Sequence, residues 1–445
     1  MLRSSLNAEE EYIAMFQKPT RGPSRTVRTL VTSALALGSI LGAGGLPAAH
    51  AARQGASPMT LTFWNPFSGP DGPTMTKIVN RFNASHKDVQ IKMTINPNGN
   101  YGGALTTAIS AHKAPNMFVV DDVAMATYAA AGILTPIEQA ASADVGLHAS
   151  DFYTSLWNGG NYNGTQYAIP MDALPLTFYW NKKVFKANGL NPNKPPTNES
   201  EFLADAKKMT HGGTYGFIVP PSWPQPFFWT TLLAQYGGQE MNVAKKQVLF
   251  NSSAGVAALT LMRDWIYKYH ISPSNTAVDY DIKALTSGKA GMIVDGPWMY
   301  SQLHGVLGNN LGVAAVPQWG PHPGVFIGQH YFALYKTTGQ NSAMTKAALT
   351  FVKYFEDHSI LWAEAGDLPV YKPTLDSVAF RKLSYEVALA KSLPYGYLNP
   401  KFPNYGNVTT ALYPQIQLVL LGKKSPKAAL DYATQQGMKV IQSSS

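Results

Sequence analysis

Hydrophobic residues alternate at Met59, Leu61 and Phe63, with Thr60 and Thr62 between them, and this period of two predicts a strand over 59–64. A run of turn formers, 65–73, follows. Met75, Ile78, Val79 and Phe82 then fall at i, i+3, i+4 and i+7, the stripe of a helix laid on a core. Val89, Ile91, Met93 and Ile95 alternate again. After the loop 96–100 a helix is predicted over 103–112. The continuous apolar run Met117–Val120 reads as a strand buried on both faces, and an alanine-rich helix ends at Gly132. Strand and helix in turn, three times over, is the pattern of an α/β lobe with a mainly parallel sheet.

A second such region begins near Asp172. Phe178–Trp180 predicts a strand, and Thr197 is the expected cap of a helix over 199–209. The stretch 220–229, rich in proline and aromatic residues, reads as a stiff loop. A helix is predicted over 254–269, a strand over 290–294 ending at Gly296-Pro297, and an amphipathic helix over 344–355. From Tyr385 onward the chain reads as helices punctuated by Pro394, Pro403 and Pro414.

The first 51 residues follow a different pattern. Arg21, Arg25 and Arg28 precede an apolar stretch over 30–46, and Ala49-His50-Ala51 fits a small-residue cleavage site. We expect a secretory signal over 1–51, cut after Ala51, and a short lead-in over 52–58. The apolar stretch is short and rich in glycine for a permanent anchor, and no second span follows. The expected mature chain is exported and holds no membrane insertion of its own.

Composition narrows the function. The 445 residues are 45% hydrophobic and 14% charged, enough to bury a core in two or three lobes. The formal charge of +9 comes from scarce acids, with 35 Lys and Arg against 26 Asp and Glu. The bases are scattered, so a nucleic-acid partner is not expected. With no cysteine, disulfides, thiolate metal sites, cysteine nucleophiles and a lipid-carrying cysteine anchor are excluded. No zinc-protease helix, nucleophile elbow or phosphate-binding loop is present, and neither a metal nor a cofactor is expected.

Several segments, in order, carry a resemblance. Leu61-Thr-Phe-Trp64 followed by Arg81-Phe82-Asn83 is one, and Tyr167-Ala-Ile-Pro170 with Phe178-Tyr-Trp-Asn-Lys182 another. Gly288-Lys-Ala-Gly-Met292 with Asp295-Gly-Pro-Trp298, and Gly366-Asp-Leu-Pro369, complete the set. Together they resemble the family 1 extracellular solute-binding proteins of sugar ABC transporters. The sequence departs from that family in lacking the lipid-anchor cysteine. The resemblance implies an α/β chain with the two-lobed periplasmic-binding-protein fold, type II-like, with a ligand cleft between lobes joined by crossover segments. On that basis lobe 1 is expected over 59–170 and lobe 2 over 171–328. Residues 329–367 return to lobe 1, and 368–445 form mainly C-terminal helices of lobe 2. It also implies closure on the ligand and docking to a membrane permease; a monomer is expected.

A sugar offers C–H faces to aromatic rings and hydroxyls to short polar side chains. In α/β lobes ligands lie at the carboxyl ends of strands. The candidates chosen on those grounds are Trp64, Asn65 and Asp71 after the first strand, Tyr101 after the second and Asp122 after the third. Trp223 lies in the proline-rich stretch, Trp298 follows Gly296-Pro297, and His330 and Tyr331 follow Val325-Phe-Ile-Gly328. One of Asp121 and Asp122 is expected to cap the next helix. The remaining tryptophans are assigned to core or surface.

Two other readings stay open. A glycan-active enzyme needs two carboxylates across one bond, and Asp71, Asp122, Asp172 and Asp295 are available, but nothing in their spacing pairs them. The same fold could instead hold glycerol phosphate or another small polar solute. The few arginines left after residue 51 argue for a neutral ligand.

Overall fold

The structure is a computed structural model that describes residues 58–443, apart from 70, 97, 222, 338–340 and the side chains of 98 and 99. The expected signal segment and its cleavage point lie outside the described residues. Among those described, no helix is long and apolar enough to cross a membrane.

Two main sheets organise the chain. In the first, Val89–Ile95, Met59–Asn65 and Met117–Asp121 run parallel, His330–Leu334 pairs antiparallel with Met117–Asp121, and Ala168–Pro170 pairs antiparallel with His330–Leu334. The alternation read from the sequence is the physical one: Leu61 and Phe63 are buried while Thr60 stays exposed. The helix Asp71–Ser85 buries Met75, Ile78, Val79 and Phe82, the stripe its spacing predicts. Phe82 meets Phe351 of the helix Ser342–Asp357 edge-on at 5.2 Å, and Phe63 joins the same group at 5.6 Å.

The second sheet has the order Leu311–Ala315, Thr177–Asn181, Ala290–Asp295, Tyr215–Phe217. Its two central strands are buried at every position, which explains why they read as unbroken apolar or aromatic runs. Helices cover it, and Trp265 lies between Phe217, Phe228 and Trp319, with ring centroids 5.5, 5.6 and 5.7 Å away.

A small sheet joins the two. Its strands are Leu368–Pro369, Asp172–Pro175, Val325–Gly328 and Gly396–Tyr397. The chain leaves the first sheet at Pro170, enters the small sheet at Asp172 and the second at Thr177. It returns through Gly328 to His330. This is the two-lobed α/β architecture with crossing segments that the resemblance implies.

Two local expectations need correction. The helix Glu199–Met209 is capped by Asn198, whose side chain accepts the N–H of Glu201, and not by Thr197. Thr197 instead donates its own N–H and hydroxyl back to the Glu201 carboxylate, both at 3.0 Å. The proline-rich stretch is not a loop throughout, because a helix begins at Gln225 with Pro226 in its first turn. Proline is tolerated there because the first N–H groups of a helix have no partner within it.

Candidate functional site

Polar side chains gather at the carboxyl ends of the first sheet's strands. Asn65 closes the first strand fully buried, its Oδ1 accepting the N–H of Phe67 at 3.1 Å. Its Nδ2 has no partner. Asn96, just past the second strand, donates its backbone N–H to the Asn65 carbonyl, and its Nδ2 is likewise buried and unpartnered. Asp71 opens the next helix with one buried oxygen, Oδ1, lacking a partner. Burial pushes its carboxyl above the usual range, against the pull of backbone N–H groups and of His330. Gln329 is buried at the crossing, accepts the Tyr331 hydroxyl, and leaves Nε2 unpaired. Unpaired buried donors and acceptors cost stability unless something else completes them.

The third strand ends at a pair of acids with divided tasks. Asp121 caps the helix Asp122–Ala130, its Oδ1 accepting from Ala124 at 2.7 Å. Asp122 points elsewhere and accepts from Asn399 Nδ2 at 3.0 Å. Burial, with the neighbouring Asp121 charge, lifts Asp122 to about 7. Tyr101 donates its hydroxyl to the Val119 carbonyl at 2.6 Å, and the Trp64 carbonyl lies 3.2 Å away. The Trp64 side chain is half-buried.

His330 begins the strand that pairs with the third. Its Nδ1 and its backbone N–H both donate to Asp172, each at 3.0 Å. Burial alone would lower the imidazole pKa, but the Asp172 charge and hydrogen bond outweigh it and hold the ring at about 9.

Two cavities open beside these groups. One of 120 Å³ is lined by Pro66, Tyr101, Asp121, Tyr128 and His330 among others. The second, of 200 Å³, is lined by Asp122, Ser155, Asn158, Tyr331, Asn399 and Lys401 among others. A larger hollow on the solvent face of the helix Asp71–Ser85 shares no residue with the strand ends.

Of the candidates, Tyr101 and His330 therefore share one cavity and Asp122 and Tyr331 the other. Asn65 and Asp71 sit among the unpaired polar groups. Trp223 and Trp298 line neither cavity. Trp223 is 55% exposed and meets Phe227 edge-on at 4.3 Å, and Phe227 in turn stacks on Phe326 at 4.0 Å. Trp298, half-buried, lies on a single turn after the strand Ala290–Asp295. Its ring folds back over Gly296, where a Cβ would come within 2.1 Å of it. Asn96, Asp172, Gln329 and Asn399 were not among the candidates. Asn96 follows a strand and was open to the same rule. Asp172 and Asn399 are defined by partners far away in the chain, and Gln329 by its place where the chain crosses back to the first sheet.

A model of the family described as bacterial extracellular solute-binding protein matches residues 68–359. The galactooligosaccharide-binding protein of Bacillus subtilis is 22% identical over 60% of this chain and 64% of its own length. The sn-glycerol-3-phosphate-binding periplasmic protein of Yersinia enterocolitica is 25% identical over 85% of this chain and 91% of its own. Among solved structures, the GacH receptor of Streptomyces glaucescens, studied unliganded and with acarbose, superposes with a TM-score of 0.76. It is 22% identical, covering 86% of this chain and 99% of that one.

Proposed function

Because the chain belongs to the bacterial extracellular solute-binding protein family, we propose that it captures a mono- or oligosaccharide and hands it to the permease of an ABC importer, without chemistry on it. Residues 1–51 direct export and are removed in the process, and the working unit is a monomer, periplasmic or associated with the cell surface, without a lipidated cysteine. In this reading one lobe is 59–170 with 329–367, the other is 171–328 with the C-terminal helices, and they close on the ligand about the small joining sheet.

The observation that carries this reading is the mixture of unpaired groups at the strand ends. Asn65, Asn96 and Gln329 offer unpaired N–H groups, and Asp71 offers an unpaired oxygen. Hydroxyl groups both donate and accept, so a polyol suits a mixture of unpaired donors and acceptors of this kind. A phosphate has acceptors to offer and calls for cations. The lining of the 120 Å³ cavity holds neither lysine nor arginine but does hold Asp121, which counts against glycerol phosphate there.

A thermal-shift series tests the reading. Neutral oligosaccharides should raise the melting temperature, by about 2.7 kcal/mol of stability at a hundredfold excess over Kd. Stabilisation by glycerol 3-phosphate alone would replace the sugar by the phosphate ester.

A further inference from the structure

We propose that Asp172 is a positioning residue that holds His330 so that its Nε2 donates a hydrogen bond to an acceptor oxygen of the bound ligand. The proposal rests on the sugar reading above for the nature of that ligand. Its foundation is geometric. The Asp172 side chain is fully buried, and three donors converge on it. The His330 backbone N–H reaches Oδ1 at 3.0 Å. Oδ2 takes His330 Nδ1 at 3.0 Å and Trp362 Nε1 at 3.1 Å. So committed, the carboxylate has little left to offer a ligand directly.

The imidazole is fixed on its other sides as well. Phe67 meets it edge-on at 5.3 Å, and Phe67 is itself braced by Trp362 at 4.9 Å. With Nδ1 taken, Nε2 is the ring nitrogen available to the cavity that His330 lines with Tyr101 and Asp121. The ring side chain is 23% exposed, enough for a ligand to reach it.

The charged groups facing the ring come from every neighbouring element and are all acids. Asp172 belongs to the joining sheet and Asp71 to the helix after the first strand. Asp367 precedes the short strand Leu368–Pro369, Asp121 ends the third strand and Asp122 opens the helix after it. Burial disfavours the imidazolium, and the Asp172 charge overrides it, so the ring holds both protons up to about pH 9. At neutral pH, Nε2 is then a charged donor, stronger than an amide for a hydroxyl or ring oxygen. Asp172 also pairs with Pro369 in the joining sheet, so the donor is tied to the segment where the lobes cross.

Asp172→Asn tests the proposal, with His330→Gln as its companion. The readouts are sugar affinity from pH 5.5 to 10 and the His330 titration by NMR on the unliganded protein. In the unaltered chain the ring should titrate near 9, with affinity level to pH 8 and falling above 9. In Asp172→Asn the ring should titrate nearer its ordinary value of about 6.5, and affinity should drop about tenfold at pH 8 but far less at pH 5.5. His330→Gln keeps an uncharged donor, and its affinity should be lower but flat across the range. Should Asp172→Asn fail to fold, the glutamine variant decides. A flat profile supports the proposal, and a fall above pH 9 like that of the unaltered chain overturns it. A ring titrating at its ordinary value in the unaltered chain, or an unchanged profile in Asp172→Asn, overturns the proposal alone. No sugar binding by the unaltered chain at any pH overturns the sugar reading and the proposal together.

Discussion

Trp298 lines neither strand-end cavity, so its assignment to the ligand cleft is a proposal that a single substitution tests. Its ring is half-buried and leans on Gly296, so removing it leaves the second sheet's core in place. Trp298→Ala is expected to weaken sugar binding by about ten- to a hundredfold, by analogy with stacking on nucleobases, and to change the melting temperature little. Gly296→Ala should have the same effect on affinity, because its Cβ would displace the ring. A large loss of melting temperature with affinity intact would return Trp298 to the core. The other residues differ in how far the sequence reveals them. Asn65 and Asp71 are legible because a strand followed by a turn announces its own carboxyl end. The Asp172–His330 bond spans 158 positions and Asn399–Asp122 spans 277, and no local pattern encodes either.

At the scale of elements, the long amphipathic ones are legible and the short ones are not. A helix such as Ser342–Asp357 repeats its stripe over several turns, whereas Asp172–Pro175 and Val325–Gly328 are too short to show a period. Their pairing comes from tertiary contact. Among these short pieces, Glu240 joins the helix Gln225–Gln235 to the strand Gly396–Tyr397. Its Oε1 accepts the Thr230 hydroxyl at 3.0 Å, and its N–H donates to Tyr397 Oη at 2.9 Å. Burial lifts this carboxyl from 4.5 to about 7. Between those values the folded chain keeps a proton that the unfolded chain has released, so stability falls as pH rises through the window. Asp122, lifted to about 7, acts in the same direction. Glu240→Gln, which keeps the shape without the titration, should flatten the decline of melting temperature between pH 5 and 8. Parallel declines in the two proteins would show that the carboxyl does not titrate there.

For the whole molecule, the order of the family's segments carried more than any one of them. Two sheets linked through Pro170–Asp172 and Gly328–His330 form a body whose halves are tied by few strands. Such a body is suited to opening and closing. Scattering from the chain with saturating sugar should give a smaller radius of gyration than without, and an unchanged radius would argue against closure. The most direct measurement is equilibrium binding of labelled oligosaccharides, with the ligand recovered and analysed afterwards. The account predicts saturable binding of one sugar per chain, competed by unlabelled sugar but not by glycerol 3-phosphate, with every molecule recovered intact. Cleaved sugar, or binding competed by the phosphate ester alone, would contradict it.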